Sequence, residues 1–278
     1  MESAKQRNSD PSAVFVVNGA SRGIGLQMVT SLLERTQGKI LACCRNPHEE
    51  TSDLTKFLQS LEENEDDSKR NRVETCWLDL EDQASIEAVA LHLRDKYDAR
   101  VDGLFNVAGI LGDGTSTPGP ERQLSKITRD WLEHSLAVNV VGHVMLIQAL
   151  QRMLKTNTNA KQQSQRASPS IVVNLSARVG SISDNELGGW YSYRMSKAAL
   201  NQATRTMAHE LKRQGTLIVA VHPGTTDTDL SKPFQANVKA TSLFPVEFTV
   251  NQSLDLVDHV QPDHSGGLYD WAGKAIPF

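Results

Sequence analysis

A chain of 278 residues with 39% hydrophobic content is long enough to bury a substantial core, and its net charge of -4 gives no electrostatic reason to bind nucleic acid or an anionic membrane. No apolar stretch approaches the ~20 residues of a membrane-spanning helix, and the polar start, Met1 to Pro11, lacks the apolar core of a secretory signal. Cys43, Cys44 and Cys76 show no CxxC spacing and read as reduced thiols, neither a disulfide frame nor a metal site, so the expected address is the cytoplasm and residues 1–12 are expected to be a flexible N-terminus.

Ala13 to Asn18 (AVFVVN) is a continuous apolar run, the pattern of a strand buried on both faces. A glycine-rich turn, a helix from Gly23 to about Arg35 and a strand from Lys39 to Cys44 follow. A helix around Leu54 to Leu61 leads into the mixed-sign run Glu62 to Arg72, read as a solvated loop. Then come a strand from Val73 to Leu78, a helix from Ala84 to Tyr97 and a strand from Val101 to Val107. A long helical region runs through Trp131, Asn139 and Leu154. Residues 156–169 are nearly devoid of bulky apolar side chains and read as an exposed loop. The strand Ser170 to Leu175, the helix Tyr193 to Arg213 and the strand Leu217 to His222 continue the series, and Gly267 to Asp270 forms a last strand and turn at the sheet edge. No composition break interrupts it, so residues 1–278 are expected to form one domain. Strands alternating with helices imply an α/β fold: a doubly wound parallel sheet in a three-layer α/β/α arrangement. Ligands of such sheets lie beyond the carboxyl ends of the strands.

The segment after the first strand reads Asn18-Gly19-Ala20-Ser21-Arg22-Gly23-Ile24-Gly25. Glycines between a buried strand and a helix permit a tight turn and let backbone amides approach a pyrophosphate, as in Rossmann-type dinucleotide sites. An acid at the end of the second strand would favour a free ribose 2′-hydroxyl, whereas arginine suits a 2′-phosphate. Arg45 stands there and Arg22 lies in the first turn, which favours NADP(H). Asp79, after the third strand, is placed to accept from an adenine amino group or to cap a helix. Asn106-Val107-Ala108-Gly109 ends the fourth strand with small residues that let a cofactor approach.

Tyr193 and Lys197 open a long helix four residues apart, on one face. A phenol of pKa about 10 is a poor proton donor-acceptor at neutral pH. A neighbouring ammonium is expected to lower that pKa. Tyr191 has Met195 at the same spacing and lacks this help.

With these motifs the chain resembles the short-chain dehydrogenase/reductase family from Ala13 to Trp271, and within it the carbonyl-reductase-like and C-factor-like branch. The resemblance rests on Gly19-x-x-x-Gly23-x-Gly25, Asp79, the Asn106–Gly109 turn, Asn139, Tyr193-x-x-x-Lys197 and Pro223-Gly224. It implies that Tyr193 is the general acid, that Lys197 lowers its pKa and holds the nicotinamide ribose, and that Asn139 anchors a proton-relay water. It further implies cofactor contacts from Gly19, Ser21, Arg22, Gly23, Ile24, Gly25, Arg45, Asp79, Leu80, Asn106, Ala108, Gly109, Tyr193, Lys197, Pro223, Gly224, Thr226 and Thr228. No metal is implied. The implied reaction is reduction of a ketone or aldehyde carbonyl with NADPH, the partners being a small carbonyl substrate and further copies of the chain in a homodimer or homotetramer.

One departure bears on the chemistry. Where the family carries a serine pair near the end of the fifth strand, this chain has Ser176-Ala177, so alanine takes the register position of the polarising hydroxyl. Alternation turns Ser176 to the other face unless the strand end bulges; Ser176 is carried as a catalytic candidate, with Ser181 as a substitute. Asn18 and Val107 are smaller departures that affect local hydrogen bonding. A catalytically weak NADP(H)-binding sensor or signalling protein is the competing reading. Residues 231–248, with Phe234, Leu243, Phe244 and Phe248, are expected to form a substrate lid.

Overall fold

The computed structural model describes residues 2–112, 120–156 and 168–278. Seven strands form one parallel sheet: β1 (Val14–Asn18), β2 (Lys39–Cys44), β3 (Val73–Trp77), β4 (Gly103–Asn106), β5 (Ser170–Leu175), β6 (Thr216–His222) and, after a short pair, β9 (Leu268–Asp270). Their spatial order is β3-β2-β1-β4-β5-β6-β9. The order reverses between β1 and β4, which is the position where such sheets open a crevice at their carboxyl edge.

Alternation along the strands divides the core. Phe15, Val17, Ile40, Phe105 and Val173 pack on one side against α2 (Gly23–Arg35), α3 (Asp53–Glu63) and α9 (Val246–His259). Val14, Val16, Leu41, Leu104 and Val172 pack on the other against α5 (Gln83–Lys96), α7 (Gly142–Leu150) and α8 (Tyr191–Leu211). The helical region after β4 comprises α6 (Arg129–Leu136), one π-turn over Ala137–Val141 and α7. Helix α5 is capped by Asp82, whose carboxylate accepts from the Ala84 amide, which leaves Asp79 free of the capping role.

Two expectations need correction, and a third falls largely outside the described residues. Residues 2–9 are not a loose arm: they form helix α1 (Glu2–Ser9), pinned to α9 by Arg7, 7% exposed, which bonds Asp258 at 3.2 Å. The charge run contains a helical turn, α4 (Asp67–Arg70), capped by Asp66, and Arg72 reaches the Leu33 and Thr36 carbonyls at the end of α2. Of the loop expected at 156–169, residues 157–167 lie outside the described residues; its ends, Thr156 and Ser168, are buried because each hydrogen-bonds backbone, at Gln214 and Ser3 respectively. Segment 231–248 is ordered as two short turns and the strand β8 (Leu243–Phe244), which pairs with β7 (Thr225–Thr226). Phe244, Phe248 and Trp271 gather there with centroids 4.7–5.4 Å apart.

Candidate active site

A cavity of about 560 Å³ runs along the carboxyl ends of β1, β4, β5 and β6. At one end β1 turns through Gly19 (φ +88°) into α2. A Cβ on Gly25 would lie 1.9 Å from the Gly19 carbonyl oxygen, and one on Gly19 would lie 2.7 Å from the Ala108 nitrogen. Both positions therefore require glycine. The N-cap residue of α2, Arg22, is extended and makes no side-chain cap, and the first turn carries no acid. These uncapped amides and the positive end of the helix dipole suit a pyrophosphate.

Ser21, Arg22, Gly23 and Ile24 line this end of the cavity, with Arg45 from the end of β2. Arg22 is exposed and pairs with Asp229 at 3.4 Å, a surface contact that holds it weakly. Asp79 and Leu80 line the cavity as well; one Asp79 carboxylate oxygen accepts from the Glu81 amide at 3.0 Å. Ala108 and Gly109 border it, as do Pro223, Gly224, Thr226 and Thr228 on the far side. Asn106 does not line the cavity: its amide donates to Asn174 at 2.8 Å within the sheet. Asn18 donates to Nδ1 of the buried His143 at 3.3 Å, which leaves the His143 Nε2 proton for the Ala108 carbonyl at 2.9 Å. Burial and the nearby Lys197 charge hold His143 neutral, its pKa lowered to about 3.

At the other end stand Tyr193 and Lys197, one turn apart on α8. The Lys197 ammonium donates to the Leu175 carbonyl at 2.8 Å. Asn139, in the π-turn, lies outside the cavity lining and brackets Ile110, accepting from its amide at 2.8 Å and donating to its carbonyl at 2.9 Å. A Cβ on Gly109 would lie 3.2 Å from Asn139 Oδ1 and 3.6 Å from Lys197 Nζ, so Gly109, Asn139 and Lys197 meet at one point. Burial lowers the Lys197 pKa to about 8 and raises that of Tyr193 above its ordinary value. The direction at Tyr193 is opposite to the expected one, because desolvation outweighs a charge 5.6 Å from the ring centre. Tyr193 is thus a neutral phenol at neutral pH, the form that donates a proton.

Ser176 and Ala177 both border the cavity, but the buried Ser176 hydroxyl donates to Asn201 at 2.6 Å. Ser181 is buried too, accepts from the Asp184 amide at 3.1 Å and is not part of the lining. Both hydroxyls are engaged by neighbouring groups of the protein. The sequence reading missed Trp190, whose ring stands 6.2 Å from Tyr193 and 5.0 Å from Phe234. Only the flanking Gly188 and Gly189 signalled an unusual turn there.

The "short chain dehydrogenase" family description matches residues 13–239. A curated relative, the 1-hydroxy-2-glutathionyl-2-methyl-3-butene dehydrogenase of Rhodococcus sp. (strain AD45), is 29% identical over 92% of this chain and 94% of its own length. The C-signal protein of Myxococcus xanthus is 29% identical over 64% of this chain and 93% of its length. Among solved structures, an NADPH-bound carbonyl reductase from chicken fatty liver superposes with a TM-score of 0.79 at 29% identity, covering 96% of this chain and 99% of that one. With a parallel sheet in this order, a glycine cradle at its switch point and a tyrosine–lysine pair beside it, the chain belongs to the short-chain dehydrogenase family, oxidoreductases that bind a nicotinamide cofactor.

Proposed function

We propose that this protein is an NADPH-dependent reductase of ketone or aldehyde carbonyls. The observation that carries the reading is the placement of a half-buried, neutral Tyr193 and a buried Lys197 at one end of a cavity whose other end is an uncapped helix N-terminus bordered by Arg22 and Arg45. The backbone of the Gly19–Gly25 turn would hold the pyrophosphate, the two guanidinium groups the 2′-phosphate, and Lys197 the nicotinamide ribose. When bound, the cofactor supplies a hydride for the carbonyl carbon. Tyr193 donates its phenolic proton to the carbonyl oxygen as that hydride arrives, and Lys197, as an ammonium, stabilises the phenolate that results. Asn139, fixed by both Ile110 backbone groups, would anchor a relay that returns the proton. Ser176 has no part in this scheme, since its hydroxyl is committed to Asn201; Tyr193 alone polarises the substrate, and Ala177 leaves a donor out.

Ala177 also supports a second reading, a cofactor-binding protein of low turnover. Titration of the protein with NADPH and NADH, followed by NADPH oxidation over a panel of aldehydes, ketones and quinones, separates the two. Tight NADPH binding with turnover that disappears in Tyr193→Phe supports the reductase. Tight binding with no turnover on any carbonyl overturns it and leaves the second reading.

A further inference from the structure

Residues 188–190 carry three successive left-handed backbone conformations: φ is +64° at Gly188, +64° at Gly189 and +55° at Trp190. Glycine adopts this region freely, but tryptophan is kept there only where the surroundings over-determine it. Arg194, by its side chain, and Glu121, by its backbone carbonyl at Trp190 and its carboxylate at Ser192, supply the hold. Arg194, one turn into α8, donates from Nε to the Gly189 carbonyl at 3.0 Å, from Nη2 to the Gly188 carbonyl at 3.2 Å and from Nη1 to the Val179 carbonyl at 3.2 Å. One guanidinium thereby ties the loop after β5 to the turn before α8. Glu121 closes the other side: its carbonyl accepts the Trp190 amide at 2.5 Å, and its carboxylate accepts from the Ser192 amide at 3.2 Å and from the Ser192 hydroxyl. That carboxylate belongs to a residue only 5% exposed and sits at the positive end of α8, where the peptide dipoles favour an anion.

What these contacts place is the Trp190 ring, packed edge-on to Tyr193 and against Phe234, with all three rings on the cavity wall. We infer that Arg194 and Glu121 are positioning residues that act through Trp190: they fix the wall that orients a carbonyl substrate against Tyr193. The inference deepens the reductase reading, on which its kinetic readout rests. Neither residue lines the cavity, so the brace acts on its wall through Trp190 and Val179, away from the Gly19–Gly25 turn.

The test is a pair of double-mutant cycles, Arg194→Met with Trp190→Ala and Glu121→Gln with Trp190→Ala. The readouts are kcat and KM for NADPH-driven reduction of 4-nitrobenzaldehyde, and NADPH affinity by fluorescence titration. Each single change at Arg194 or Glu121 is expected to lower kcat/KM by at least ~10-fold, toward the ~10²-fold that a 1 Å misplacement costs. NADPH affinity is expected to stay within about twofold of the parent's, as for an interaction outside the cofactor end. In the Trp190→Ala background neither change causes a further loss, because its effect runs through the missing ring. Arg194→Lys, which cannot hold three carbonyls at once, gives a smaller loss than Arg194→Met. Additive losses in the cycles, or parallel losses of NADPH affinity, overturn the inference. A readout free of turnover accompanies these: the near-UV circular dichroism contributed by Trp190, defined as the difference between the parent and Trp190→Phe, is expected to vanish in Arg194→Met. If the parent reduces no carbonyl, the reductase reading falls and this signal alone decides the brace; a Trp190 signal unchanged in Arg194→Met overturns it.

Discussion

The Lys197 ammonium lies over the Tyr193 ring, 5.6 Å from its centre, and is held there by the Leu175 carbonyl at 2.8 Å, at the end of β5. On the proposed reductase reading, this arrangement would keep the half-buried tyrosine protonated at rest with the charge that would stabilise its phenolate beside it. Tyr193→Phe is expected to reduce NADPH-driven turnover by ~10³-fold, within the range for loss of a general acid, with NADPH affinity retained. Because burial brings Lys197 to about 8, kcat/KM for reduction is expected to fall as pH rises through that value, where the ammonium is lost. A profile flat to pH 10 would remove Lys197 from its assigned role.

Ala177 is extended, buried and part of the cavity wall, at the register position where the family places a polarising serine. Ala177→Ser is expected to raise kcat/KM for a poor carbonyl substrate by ~10-fold or more, since one such donor is worth up to ~10²-fold. Steady-state kinetics check this; an unchanged rate would show that the hydroxyl cannot reach the substrate oxygen from here.

Arg22 and Arg45 reach the same end of the cavity from different loops. Replacing either by alanine is expected to lower NADPH affinity relative to NADH by ~10-fold or more, as charge-assisted hydrogen bonds contribute about 1.5–3 kcal/mol each. Parallel titrations with the two cofactors measure the ratio. Equal losses for both would place the arginines away from the 2′-phosphate.

His143 is fully buried, with a folded pKa of about 3 against 6.5 when unfolded. Between these values the unfolded chain binds a proton that the folded chain refuses, so stability falls as pH drops below 6.5 and is fully present above it. At pH 5 the loss from this group is at most about 2 kcal/mol, at 1.36 kcal/mol per unit. Urea unfolding at pH 7 and pH 5 is expected to show a smaller pH difference in His143→Gln than in the parent.

Arg7 is buried against Asp258, which is 29% exposed, and Asn8 donates to the same carboxylate at 3.1 Å. Arg7→Ala is expected to destabilise the fold by about 2 kcal/mol, below the roughly 3–5 kcal/mol for breaking a fully buried pair. Thermal unfolding measures it, and an unchanged midpoint would return residues 2–9 to the loose arm that their composition suggests.

What the sequence determined by itself is what depends on near neighbours in the chain. Continuous apolar runs gave the buried parallel strands; the glycine spacing between β1 and α2 gave the tight turn at the head of the cavity; and the four-residue interval from Tyr193 to Lys197 gave their common face, because 3.6 residues per turn is a property of the helix alone. Tertiary structure decided whatever depends on partners far along the chain. The polar residues 2–9 form a docked helix because Asp258, 251 positions after Arg7, accepts its charge. The Ser176 hydroxyl is taken by Asn201 on α8, and Trp190 enters a left-handed conformation because Arg194 gathers carbonyls from two segments. The direction of the Tyr193 pKa belongs to the same class: the lysine one turn away was legible, but the desolvation that outweighs it exists only once the folded chain sets the half-buried ring in the cavity wall.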